Sequence, residues 1–355
     1  MKTTGTVPRA IPTQRDSRSR SLWLTSVLIV SLCHLLALAQ ETVLLVGSGS
    51  NVPAPLYNKW GEEYNKRNPR IQLRYLPIGT SEGIEEISRG SGDFGAGEVP
   101  LTTEERTRGK LIEVPSVLIA IVPIYNLPEV HEELRFSGEL LADIFLGHVK
   151  NWSASQIAQL NPNATLPDRP IKVVYRPAGK GSNYVFTDFL SKTSSRFRAQ
   201  IGTTPSPHWP LGVSAERSSD MADQVKAESG SIGYVDVQYA IKASIPYGSV
   251  QNAAGRFVKA SSDTITAACN AIETPQWDKF AASLTNAPGA DSYPITSFTW
   301  LYLRAVSSDS RRATALADLL SWMFGEGQHL AAQEGYSELP KALLGKVRAR
   351  VNALR

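Results

Sequence analysis

Three short stretches of this sequence combine glycine with hydroxyl side chains: Gly47-Ser-Gly-Ser-Asn-Val52, Gly79-Thr-Ser-Glu-Gly83 and Gly179-Lys-Gly-Ser182, the last preceded by Arg176. Glycine lets backbone N–H groups approach a ligand closely. Where such a stretch opens a helix, those donors and the positive end of the helix dipole face an anion. A guanidinium adds a planar fork that matches an oxyanion. One Gly/Ser stretch alone is only a turn; three of them with an arginine point to capture of a small oxyanion.

Other chemistry has little support. His131, His148, His208 and His329 are scattered, and no H-E-x-x-H, paired-cysteine or G-x-S-x-G spacing organises a metal or a nucleophile. The glycine stretches lack both G-x-x-x-x-G-K-[ST] and an intact G-x-G-x-x-G, which argues against nucleotides. Ser48 and Ser50 have no visible base to activate them, so they read as hydrogen-bond donors. No metal, cofactor or catalytic residue is expected.

Each stretch sits where a strand should hand over to a helix. Residues 42–46 form a continuous apolar run of the kind buried on both faces of a sheet. Pro53 and Pro55 then open a segment with Leu56, Tyr57, Trp60 and Tyr64 at helical spacing, closed by Asn68-Pro69. Residues 71–76 alternate as a strand before the second stretch, with a short helix expected over 84–89. Residues 171–175 are a buried strand before the third, with a helix expected over 183–192. Further strands are expected over 114–125, 230–235 and 296–306, and helices over 137–147 and 313–324. The alternation implies an α/β architecture with mainly parallel sheets. Trp60, Trp152 and Trp209 read as core residues.

At 355 residues the chain is long enough for about two domains. The basic start (Lys2, Arg9, Arg15, Arg18, Arg20), the apolar run over 22–39 and Ala37-Leu38-Ala39 read as a signal peptide cleaved near Ala39, an uncleaved anchor being the alternative. Cleavage there would remove five basic residues and one acidic one, leaving 32 of each. The formal charge of +4 therefore belongs to the leader, and the mature chain has no basic bias that would suit nucleic acid. Cys33 leaves with the leader and Cys269 then has no intrachain partner.

The segment from Gly47 to Trp60 closely resembles the opening of the periplasmic phosphate-binding proteins that serve phosphate ABC transporters. The likeness continues through Ile78-Gly-Thr-Ser-Glu-Gly83, Asp93-Phe-Gly-Ala-Gly-Glu-Val-Pro-Leu101, Ile144-Phe-Leu-Gly-His-Val-Lys-Asn-Trp152, Trp209-Pro-Leu-Gly212, Gly230-Ser-Ile-Gly-Tyr-Val235 and Tyr293-Pro-Ile-Thr296. The resemblance implies two α/β lobes of the type II-like periplasmic-binding-protein fold joined by a hinge: 40–116 with 292–355, and 117–291. It also implies an exported, monomeric, non-enzymatic receptor that delivers inorganic phosphate to a transporter permease. Receptors for a related oxyanion or a small phosphorylated compound are the nearest alternative, and an exported phosphatase a more distant one. By the same resemblance the phosphate ligands are Asn51, Val52, Thr80, Glu98, Arg176, Lys180, Gly181 and Ser182, with Val52 and Gly181 acting through backbone N–H. The family has Asp where Glu98 stands and Thr where Asn51 stands. Its Arg-x-Asp-Gly-Ser-Gly-Thr turn reads Arg176-Pro-Ala-Gly-Lys-Gly-Ser182 here. Ala178 thus removes a carboxylate and Lys180 adds a cation, and Glu98 and Lys180 are expected to satisfy each other in the empty site.

Overall fold

Strands and helices alternate from Val43 onward in the computed structural model, which describes residues 1–6, 42–272, 283–305 and 309–353. The leader reading, with its apolar run and cleavage site, falls outside the described residues. No described helix is long and apolar enough to cross a membrane.

The chain begins with β1 (Val43–Gly49), α1 (Ala54–Arg67), β2 (Ile71–Leu76), α2 (Thr80–Ser88), β3 (Phe94–Gly97), α3 (Thr103–Gly109) and the long β4 (Leu111–Tyr125). There follow β5 (Arg135–Phe136), α4 (Gly138–Phe145), α5 (Ser155–Leu160), β6 (Lys172–Tyr175), α6 (Gly181–Thr193), α7 (Ser195–Gln200), β7 (Val213–Ser214), α8 (Ser218–Ala227), β8 (Ser231–Asp236), α9 (Val237–Ala243), β9 (Ser249–Gln251), β10 (Phe257–Val258) and α10 (Ser262–Asn270). The last part holds β11 (Thr296–Arg304), α11 (Ser310–Met323), α12 (Gly327–Gln333) and α13 (Lys341–Asn352).

Among the described residues, eight strands join in the order β2-β1-β3-β11-β4-β8-β6-β7, and β10-β9-β5 form a separate small sheet. The larger sheet is mixed, where mainly parallel pairing was expected. β1 pairs in parallel with β2 and β3, as β6 does with β7 and β8. β11 runs antiparallel to both β3 and β4, and β8 antiparallel to β4. The reason is connectivity. β4 carries the chain out of the first group of strands, pairing with β11 up to Ala120 and with β8 from Ile121, and β11 brings it back alongside in the opposite direction.

Two aromatic cores follow from this division. On the first side Tyr57 stacks on Trp60 and meets Tyr75 and Phe94 edge-on. On the second, Phe145, Phe186, Trp209 and Tyr234 lie within 4.2–6.4 Å of one another. Buried indoles keep their N–H groups bonded where they lock elements together: Trp60 Nε1 donates to Gly327 O (2.7 Å) and Trp152 Nε1 to Gly230 O (2.8 Å). Both cores anchor strands whose carboxyl ends carry the glycine stretches, the edge at which α/β sheets bind ligands.

Two helices start earlier than their sequence implied. α2 begins at Thr80 rather than Ile84, and α6 at Gly181 rather than Asn183. Small polar residues read as turn in the sequence, yet they are also the residues best suited to a first helical turn whose N–H groups lack intrahelical partners.

Candidate functional site

The carboxyl ends of β1, β2 and β6 converge on one small pocket. Ser50, Asn51, Val52, Gly79, Thr80, Arg176, Lys180, Gly181 and Ser182 line about 160 Å³ of empty space, counting the part open to solvent. Seven of the eight residues named from the family resemblance therefore stand together. The eighth, Glu98, follows β3 and reaches the same place from behind, its carboxylate accepting from the hydroxyls of Thr80 (3.2 Å), Thr299 (3.2 Å) and Ser50.

Helix termini supply the backbone donors. α4, α7, α10 and α11 each have a side chain capping the first turn, whereas α2 and α6, with Gly79 and Lys180 at their N-cap positions, have no such bond, as is also true of α1, α5, α12 and α13, none of whose residues lines the pocket. The uncapped first turns of α2 and α6 are the ones that face the pocket, where an anion would satisfy them. Ser182 Oγ is likewise buried without a hydrogen-bond partner.

Arg176 is the charged centre of the arrangement. It is 1% exposed. Its Nη1 donates to Ser218 Oγ (2.8 Å), and its Nη2 to Glu216 O (2.7 Å) and Asn51 Oδ1 (3.1 Å), while Nε has no partner. No carboxylate among the described residues forms an ion pair with it. Burial lowers the pKa of the guanidinium, which nonetheless stays charged at any working pH. A buried cation without an ion-pair partner is costly, and two of its five N–H donors, that of Nε and one of Nη1, are unused.

Glu98 is fully buried, and desolvation pushes its carboxyl up to about 7 against the opposing pull of the three hydroxyls. Its Oε2 lies so close to Gly181 that a Cβ there would stand 1.8 Å away, and 2.6 Å from Thr80 Oγ1. Only glycine fits between β3 and the start of α6.

The remaining positions are tied into cross-connections. Asn51 Nδ2 donates to Pro77 O (2.7 Å) while its Oδ1 accepts from Arg176, so the side chain bridges rather than points a free donor inward. Val52 N donates to Ser50 Oγ (3.1 Å), and Val52 O accepts from Tyr336 OH (2.7 Å) and Gln238 Nε2 (3.3 Å). Lys180 does not pair with Glu98, as its sequence position implied; its ammonium is held by Glu216. Glu98 is engaged by hydroxyls instead, buried close to Gly181, while the Lys180 ammonium lies along Gly79 and reaches Glu216.

Sequence reading missed Ser218, Glu216 and Thr299. Ser50 stood within the first glycine stretch and was legible as a donor. Thr299 is 201 residues from Glu98 along the chain, and no local spacing announces it.

The model of the PBP superfamily domain matches residues 37–326. A phosphate-binding protein PstS of Pasteurella multocida is 34% identical over 330 residues, covering 92% of this chain and 94% of its own. The PstS of Xylella fastidiosa strain 9a5c is also 34% identical, over 87% of this chain and 85% of its own. Among solved structures, a high-affinity periplasmic phosphate-binding protein with bound phosphate superposes with a TM-score of 0.69 at 20% identity, over 86% of this chain and 93% of that one. That superposition shows a shared two-lobed fold, and the extent and identity of the sequence matches place this chain in the PBP superfamily, within the family of PstS phosphate-binding proteins.

Proposed function

We infer that this protein captures inorganic phosphate between its two lobes and delivers it to the permease of a phosphate ABC transporter. The observation that carries this reading is Arg176: a buried, permanently charged fork that forms no ion pair with a carboxylate among the described residues and lines a pocket bordered by uncapped helix starts. Phosphate would take Arg176, Thr80, Ser182, the N–H group of Gly181 and, in place of its bond to Ser50 Oγ, that of Val52. Asn51 would steady Arg176 and Lys180 would stand at the rim. Phosphate still carries a proton near neutral pH, which Glu98 can accept, whereas sulfate carries none and meets bare repulsion there. Binding proceeds without turnover, in an exported monomer cleaved near Ala39 and acting in the periplasm.

The lobes are assigned as residues 40–116 with 292–355, and 117–291. The switch of partners along β4 between Ala120 and Ile121 supports this division. Donors from α2 and α6 must meet on one ion, and Ser81 N already reaches Gly179 O (3.1 Å) across the pocket. Small-angle scattering should therefore show a smaller radius of gyration with saturating phosphate than without it. An unchanged radius in protein shown by calorimetry to bind phosphate would contradict closure.

Gly181→Ala tests the packing of the site. The added methyl must displace Glu98 or the start of α6, and such overpacking costs about 1–3 kcal/mol, so phosphate affinity should fall roughly 5- to 150-fold. Titration of the variant against phosphate measures this.

A further inference from the structure

Lys180 and Glu216 form a pair that neither the glycine stretches nor the resemblance announces. Lys180 is 6% exposed, and its ammonium lies against Gly79, 3.4 Å from where a Cβ on that residue would stand. The partner carboxylate of Glu216 is 66% exposed. Glu216 follows β7 and precedes α8, and it meets both cations of the pocket: its backbone carbonyl accepts from Arg176 Nη2 at 2.7 Å, and its side chain holds Lys180. The other carboxylate at this mouth is Glu82 of α2, which lies against the same wall, its Oε2 2.3 Å from the Cβ built on Gly79 and its Oε1 3.2 Å from one built on Gly179; it forms no ion pair with Lys180 among the described residues.

We propose that Glu216 is a specificity-determining residue, whose carboxylate holds the Lys180 ammonium at the mouth of the pocket and keeps its charge off the bound anion. This deepens, and rests on, the reading of the pocket as a phosphate site. With Glu216 ionised, Lys180 is neutralised where it stands and Arg176 is the cation the anion meets. Without that carboxylate, the ammonium loses its ion-pair partner and is shared along the Gly79 wall between the Glu82 carboxylate and the anion. At about pH 8 both ions are dianions, and an ammonium attracts them alike. The difference comes through Glu98, because the same positive charge offsets the carboxylate that repels sulfate, whereas phosphate already meets that carboxylate with a proton. Glu216 thereby preserves discrimination between two ions of nearly the same shape.

The test is calorimetric titration with inorganic phosphate and with sulfate at about pH 8, in the wild type, E216Q, E216D, K180A and E216Q/K180A. E216Q keeps the backbone carbonyl that Arg176 uses. In E216Q the phosphate-over-sulfate ratio should narrow roughly tenfold through tighter sulfate binding. E216D should retain the wild-type ratio, and K180A in the E216Q background should abolish the gain in sulfate affinity, which a loss of packing at Glu216 would not do. An unchanged sulfate affinity in E216Q, or the same gain without Lys180, would overturn the proposal while leaving phosphate binding intact. A wild-type protein that binds no phosphate would overturn the reading of the site and this proposal together.

Discussion

Arg176→Ala is expected to weaken phosphate binding by about 2–5 kcal/mol, roughly thirtyfold to several-thousandfold, the range for removing one partner of a buried, hydrogen-bonded charge pair. The size of the loss follows from where the guanidinium stands. It is 1% exposed, it forms no ion pair with a carboxylate among the described residues, and Nε is unused, so on the function proposed above the bound anion would be its counter-ion. The same fact gives the substitution an unusual second signature. In the empty protein an uncompensated buried cation is a burden, and its removal should cost the unliganded fold less than loss of so large a buried side chain ordinarily does. Thermal melts with and without phosphate separate the two effects: the ligand-induced rise in melting temperature should disappear in Arg176→Ala, while the unliganded midpoint moves less. Arg176→Lys should recover part of the affinity, because it restores charge without the fork. An affinity loss below tenfold would remove Arg176 from the centre of recognition.

Discrimination against sulfate is expected to depend on pH, through Glu98. Burial raises its carboxyl to about 7, so at about pH 8.5 the group is mostly ionised and repels an anion that has no proton to share. As the pH falls through 7 toward 5.5 the carboxyl becomes protonated and turns from acceptor to donor. Sulfate affinity should therefore rise on acidification, and the phosphate-over-sulfate preference should narrow. Glu98→Gln places a neutral amide there at every pH. The variant should show a narrow preference already at about pH 8.5, because like-charge contact of this kind costs several kcal/mol, and its sulfate affinity should be flat across the window. Parallel titrations with both ions at about pH 5.5, 7 and 8.5 measure the effect. A wild-type sulfate affinity that does not change with pH would show that Glu98 does not touch the ion.

Much of the site was legible without coordinates because helix starts that bind anions must be built from few residue types. Gly79, Thr80, Gly181 and Ser182 could be picked out since glycine and small hydroxyl residues are what such a turn permits, and Arg176 because its fork has few substitutes. Their placement at strand ends followed from apolar runs that are short and continuous. The sequence by itself thus determined the α/β class, the ligand chemistry and most of the pocket's wall. The direction of β11, the partners of β4 and the hydroxyls around Glu98 were decided only by tertiary structure. These depend on contacts between residues far apart in the chain, such as Thr299 with Glu98 or Tyr336 with Val52, and no local pattern encodes which distant strand lies alongside. The pairing of Lys180 was of the same kind. Its charge was plain in the sequence, but whether it met Glu98 or Glu216 depended on how α6 packs against β3 and the segment after β7, since neither carboxylate is its neighbour along the chain.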